Sequence, residues 1–187
     1  AGLLFEVDRE INKDTEMPPL VRWQFRGGID EEDRKAFLFK NITDSKGRKY
    51  DIPVLVCGLA GNQQIYQLGM RCDLKDLKNT WINAINNPIE PNVVESADAP
   101  CHDVVFEGDE LLNGNGLDAI PVPISSPGWD NAPYFSSSHF ITKDPNTGVQ
   151  NMGNYRGMVK APNRVGMNPS TELRTGGYMH WLEWKKL

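Results

Sequence analysis

Residues 141–156 read ITKDPNTGVQNMGNYR. Within this stretch Asp144-Pro145-Asn146-Thr147-Gly148 predicts a tight turn: Pro145 fixes φ, the Asp144 and Asn146 side chains can bond nearby backbone, and Gly148 tolerates positive φ. The turn separates two short extended runs, 138–142 and 155–159, so a β-hairpin is expected. Just past it stand two amides, a phenol and a guanidinium: Asn151, Asn154, Tyr155 and Arg156. Farther on, His180 opens an aromatic run, 180–184, which reads as a further strand.

Turns attract Asn, Asp and Gly for backbone reasons alone, so composition leaves an ordinary surface hairpin and a functional site equally open. The spacing TKDP-x-TG-x-x-N-x-G-x-YR, carried by Thr142 to Arg156, resembles the central motif of the UbiD family of prenylated-FMN-dependent decarboxylases and carboxylases. Further matches flank it in the family's order. They are LFEVDREINKDTEMPPLVR (4–22), IPVLVCGLAGN (52–62) and IPVPISSPGWDNAPYFSSSHFITKDP (120–145).

The resemblance implies an α+β chain, with a mixed α/β domain over 1–115 followed by part of an FMN-binding split β-barrel over 116–187. It also implies reversible decarboxylation of an aromatic or α,β-unsaturated carboxylic acid, with prenylated FMN, a divalent metal (Mn²⁺ or Mg²⁺) and K⁺ as cofactors. Carried onto this sequence, the metal ligands are Asn151 and His180, the catalytic residue is Arg156, and Asn154, Tyr155, Met179 and His180 line the cofactor.

These roles suit the residues. A hard cation accepts amide oxygen, and by tying a phosphate to protein it offsets buried charge. A guanidinium presents a planar fork to a carboxylate. Five positions separate Asn151 from Arg156, and on a plain strand an odd spacing puts them on opposite faces. Gly153 is therefore expected to break the alternation and let them converge.

His102 and His139 compete with His180 for the imidazole role. His139 begins a strand and His102 sits in a connector, where packed or surface histidines are commoner. Glu183 lies three residues from His180, on the opposite face of the expected strand, and reads as a surface charge. No residue matches the family's carboxylate ligand or its proton-moving glutamates. A companion chain in a homo- or hetero-oligomer is therefore expected to supply them and to cover open strand edges. Two other readings stay open: a non-catalytic scaffold subunit, and a split-barrel reductase using plain FMN.

The 187 residues, 39% hydrophobic with five Trp and seven Phe, can bury a substantial core. A net charge of −5 and a pI near 5.2 oppose nucleic-acid binding, which needs concentrated Lys and Arg. No apolar run is long enough for a bilayer and no export signal is apparent, so a cytoplasmic location is expected. Cys57, Cys72 and Cys101 lack CxxC spacing and read as buried reduced thiols. Adjacent side chains in an extended segment point apart, which argues against Cys101-His102 as a metal pair.

Elsewhere, 3–7, 36–39 and 54–57 read as strands, and Asn62 as the N-cap of a helix through Met70. Gly58 to Gly61 fits no phosphate-binding fingerprint and reads as a turn. Leu74, Leu77, Trp81 and Ile85 fall three or four apart, predicting a second helix, started by Asp73, with a packed apolar stripe. After a connector over 88–100, short strands are expected at 104–106 and 120–124.

Overall fold

The computed structural model describes residues 1–187. Internal contacts divide them into two units: Ala1–Asn12 with Pro19–Glu107, and Lys13–Pro18 with Gly108–Leu187.

The first unit is built on a four-stranded sheet. Strand β1 (Leu4–Asn12) pairs in parallel with β2 (Ala36–Thr43), and β3 (Lys49–Tyr50) and β4 (Val54–Val56) both pair antiparallel to β2. Helix α1 (Met17–Arg26) makes the crossover that a parallel β1–β2 pair requires. The core of this unit gathers Val7, Ile11, Val21, Phe39, Ile42 and Ile65, with Phe39, Ile11 and Ile42 fully buried.

Helix α2 (Gln63–Met70) starts as its sequence dictates. The Asn62 side chain accepts from Ile65 N at 2.8 Å, and its amide donates to Arg34 O. The second helix departs from expectation. Asp73 makes no side-chain cap; a short 3₁₀ turn intervenes, and α3 spans Leu77–Asn86. Its stripe is not packed, since Leu74, Trp81 and Ile85 are exposed. Periodicity reports an apolar face without reporting whether this chain covers it. The cysteines are free as expected, but Cys101 is exposed and Cys57 and Cys72 half-buried.

The second unit holds a three-stranded antiparallel sheet, β5 (Tyr134–Lys143), β6 (Gln150–Ala161) and β7 (Arg164–Asn168), in that order. No closed barrel forms. Residues 104–106 and 120–124, expected as strands, are irregular. The run 180–184 is not a strand either: helix α4 (Gly176–Trp184) contains it and packs on β5 and β6. Two glycines followed by Tyr, His and Trp carry little intrinsic preference, and tertiary packing decides the outcome.

Lys13 to Pro18 come from the start of the chain yet belong to this unit. Buried Lys13 and Asp14 pair at 2.7 Å, and Asp14 accepts from Ile124 N at 3.3 Å. Met17 and Val122 join them among the buried residues. No helix of the chain is long and apolar enough to cross a membrane.

Candidate functional site

The hairpin turn forms as its residues predict. Asp144 Oδ1 accepts from Asn146 N at 2.7 Å and Thr147 N at 2.9 Å, and Gly148 sits at φ 74° with its N–H on Asp144 O. These backbone N–H groups, chiefly those of Thr147 and then Asn146, hold the Asp144 carboxyl below its ordinary value of 3.8.

A depressed carboxylate stabilises the fold above its unfolded pKa and loses that contribution as pH falls through the folded value. Asp144→Ala should therefore lower the unfolding midpoint at neutral pH, and the gap from wild type should close on acidification below about 4. Thermal unfolding of both proteins across pH 3–7 measures it; a gap independent of pH would show that the carboxylate is not what holds the turn.

From this turn β6 runs back with unbroken alternation. Asn151, Gly153, Tyr155 and Gly157 are half-buried or buried, whereas Met152, Asn154 and Arg156 are exposed. The irregularity in the β5–β6 register lies between Phe135 and Ser138, opposite Arg156, and the extra residue is on β5, so the alternation of β6 itself is kept. Gly153 therefore does not bring Asn151 and Arg156 together. Its role is steric: a Cβ there would collide with Cε2, Cζ and Oη of Tyr155, whose ring lies over the glycine. Gly157 likewise leaves room for the Phe140 ring, which approaches Tyr155 at a centroid distance of 6.2 Å.

Asn151 and His180 share one face. Thr142 is the cross-strand partner of Asn151, and its Oγ1 lies 2.9 Å from His180 Nδ1. Gly176 precedes His180 by about one helical turn, on the same side of α4, and its backbone touches the Asn151 amide so closely that a Cβ would overlap Oδ1. Tyr155 Oη accepts from Gly177 N at 2.9 Å and from Asn151 Nδ2 at 3.5 Å, capping the start of α4 while holding the amide.

Burial alone would raise the phenol's pKa. The neighbouring Thr175 hydroxyl, the Gly177 N–H and the Asn151 amide outweigh it and lower the value. Thr175 Oγ1 is itself buried and falls short of a formed hydrogen bond. His180 is buried; its Nε2 and the Asn151 Oδ1 make no hydrogen bond within the chain.

Because 180–184 is helical, Glu183 is one turn from His180 rather than across a strand. It accepts from Asn146 Nδ2 at 3.2 Å and pairs with Lys186, while Trp184 Nε1 donates to Lys143 O at 2.8 Å. These contacts fasten the helix to the hairpin turn. Met179 is half-buried on the same helix.

Arg156 projects from the other face. Its Nη2 lies 3.1 Å from both oxygens of Asp130, and its guanidinium stacks 4.3 Å from the Tyr134 ring centroid. Asn154 faces the same side, opposite His139 in the register. His102 is elsewhere, against Ser96 Oγ at 2.8 Å. No three His, Cys, Asp or Glu side chains converge to hold a metal.

An amide oxygen and a neutral imidazole nitrogen fit a divalent cation such as Mn²⁺ or Mg²⁺ in chemistry, as two of the ligands it needs. The sequence missed what orients them: Thr142, Tyr155 and Gly176. Thr142 and Tyr155 stood inside the motif, but only the helical form of α4 gives them partners.

Comparison with known proteins bears on the family and the fold. Residues 92–186 match the family model described as UbiD, 3-octaprenyl-4-hydroxybenzoate carboxy-lyase Rift-related domain. Among solved structures, the UbiD-class enzyme HmfF from Pelotomaculum thermopropionicum in complex with FMN is 25% identical with TM-score 0.69, matching 90% of this chain and 34% of its own. Vanillic acid decarboxylase (ShVdcCD) from Sedimentibacter hydroxybenzoicus, in open form, is 25% identical with TM-score 0.71, over 97% of this chain and 36% of its own. The apo 3,4-dihydroxybenzoic acid decarboxylase from Enterobacter cloacae shares the fold at TM-score 0.75 and 23% identity, over 98% and 36%. The chain thus spans about a third of the length of the structures it matches.

Proposed function

The chain belongs to the UbiD family, and from that premise we propose that it forms part of an enzyme that reversibly decarboxylates an aromatic or α,β-unsaturated carboxylic acid with prenylated FMN. What most supports a working site is the meeting of Asn151 and His180 beside α4, each with a donor atom left over. In this reading the two would hold a divalent cation, Mn²⁺ or Mg²⁺, whose charge would offset that of a bound phosphate.

When bound, prenylated FMN supplies the electron sink that lets a carboxylate leave as CO₂. The chain's own residues bind and orient. Tyr155 and Gly176 fix the amide, Thr142 fixes the imidazole, and the packing of α4 on β5 and β6 keeps His180 buried. Arg156, preset by Asp130 and Tyr134, handles the substrate carboxylate. Its assignment rests on the motif, since the sheet separates it from Asn151.

In this reading the carboxylate ligand and the proton-transferring glutamates come from outside residues 1–187, and a companion chain is one source of them. An open three-stranded sheet and the exposed cross-strand pair Ile141–Met152 support a further partner for this unit.

The test is mass spectrometry of cofactor extracted from the purified assembly, combined with exchange of labelled bicarbonate into a panel of aromatic acids. Prenylated FMN together with exchange is expected. Plain FMN with nicotinamide oxidation would instead favour a reductase, and an assembly free of flavin a scaffold.

A further inference from the structure

We propose that Thr142 and Tyr155 are positioning residues that fix which atoms of His180 and Asn151 face a cation. The proposal rests on the metal-binding reading above and goes one layer outward from it.

An imidazole can ligate only through a nitrogen that bears a lone pair, so the proton must sit on the other one. At His180 the Nδ1 side is engaged by Thr142 Oγ1 at 2.9 Å and Nε2 is not engaged by the chain. With the proton on Nδ1 donated to the threonine oxygen, Nε2 keeps its lone pair for a metal. A hydroxyl suits this position because it accepts that bond without adding charge to a buried site. The hydroxyl stands on β5 directly opposite Asn151, so one cross-strand pair supplies a ligand and the support of its neighbour.

Asn151 has the complementary problem. An amide rotated by half a turn would present NH₂, which no cation accepts. Tyr155 Oη settles the choice by accepting from Nδ2 at 3.5 Å, and the same oxygen takes Gly177 N–H at 2.9 Å. Tyr155 is buried, its ring over Gly153 and against Phe140, and its oxygen cannot swing away without vacating that place.

The experiment is titration of the assembled enzyme with Mn²⁺, following free Mn²⁺ by electron paramagnetic resonance, for Thr142→Val, Thr142→Ser, Tyr155→Phe, Asn151→Ala and His180→Ala. Thr142→Val keeps the β-branched shape that a strand favours, and with Tyr155→Phe it should weaken Mn²⁺ binding roughly tenfold to a hundredfold. Thr142→Ser should bind as wild type does.

If Thr142→Val and Tyr155→Phe bind Mn²⁺ normally while Asn151→Ala and His180→Ala lose it, the positioning role is overturned and the metal centre stands. If Thr142→Ser weakens binding as much as Thr142→Val, the hydroxyl is not the cause and the proposal is likewise overturned. Should Asn151→Ala and His180→Ala bind normally, the metal reading itself fails and takes this inference with it.

Discussion

Gly153→Ala is expected to destabilise the second unit by about 2–3 kcal/mol and to remove Mn²⁺ binding from the assembled enzyme. The added Cβ would occupy the space of Tyr155 Cε2, Cζ and Oη, so the ring has to leave the glycine it covers. When it leaves, Gly177 N–H loses its acceptor at the start of α4, and the Asn151 amide loses its anchor. Packing strain and broken hydrogen bonds therefore add, and both act on the residues that place the cation donors. Gly69→Ala provides the contrast. Nothing lies within 4 Å of a Cβ there, and inside α2 the change should be neutral or stabilising by up to ~1 kcal/mol. Denaturant unfolding of both variants measures the difference; equal midpoints would mean that the Tyr155 ring is not locked over Gly153.

Arg156→Ala should lower turnover by roughly 10²–10³-fold, the scale on which preorganised donors contribute to catalysis, while flavin absorbance and stability persist. Stability should change by less than about 1 kcal/mol because the pair with Asp130 is half-exposed on the arginine side. Asp130 also keeps its bond from Ser126 N at 3.1 Å. Arg156→Lys should recover little activity, since an ammonium retains the charge without the planar fork. Steady-state kinetics on the assembled enzyme provide the measurement. Unchanged turnover would reduce Arg156 to a structural partner of Asp130 and Tyr134, which is all that its contacts within this chain require.

The parts of the fold that local chemistry dictates were legible from the residues. The Asp144 to Gly148 turn, the hairpin it joins and the Asn62 cap each follow from one or two side chains bonding nearby backbone. What depends on a distant partner was not. The run 180–184 is short and aromatic and by composition suits a strand, yet it is helical, with Gly176 and Gly177 docked on Asn151 and Tyr155. In the helix Glu183 lies on the side of His180 that faces the hairpin turn, where a strand would have turned it away. Gly153 was recognised as special for the wrong reason, since a sequence shows that a Cβ is absent without showing that a ring two residues on fills its place. Likewise the stripe from Leu74 to Ile85 is apolar, but only coordinates show that this chain leaves it uncovered.

The capture of Lys13–Pro18 by the second unit bears on how the protein is made. Asp14 leaves the ribosome 110 residues ahead of Ile124, whose N–H it receives, so its buried place cannot exist until the second unit has been translated. Until then a charged Lys13–Asp14 pair must stay hydrated, and closing so long a loop delays completion of that unit. Dividing the gene between Glu107 and Gly108 would not yield two self-sufficient products, because the later piece would lack six of its own residues.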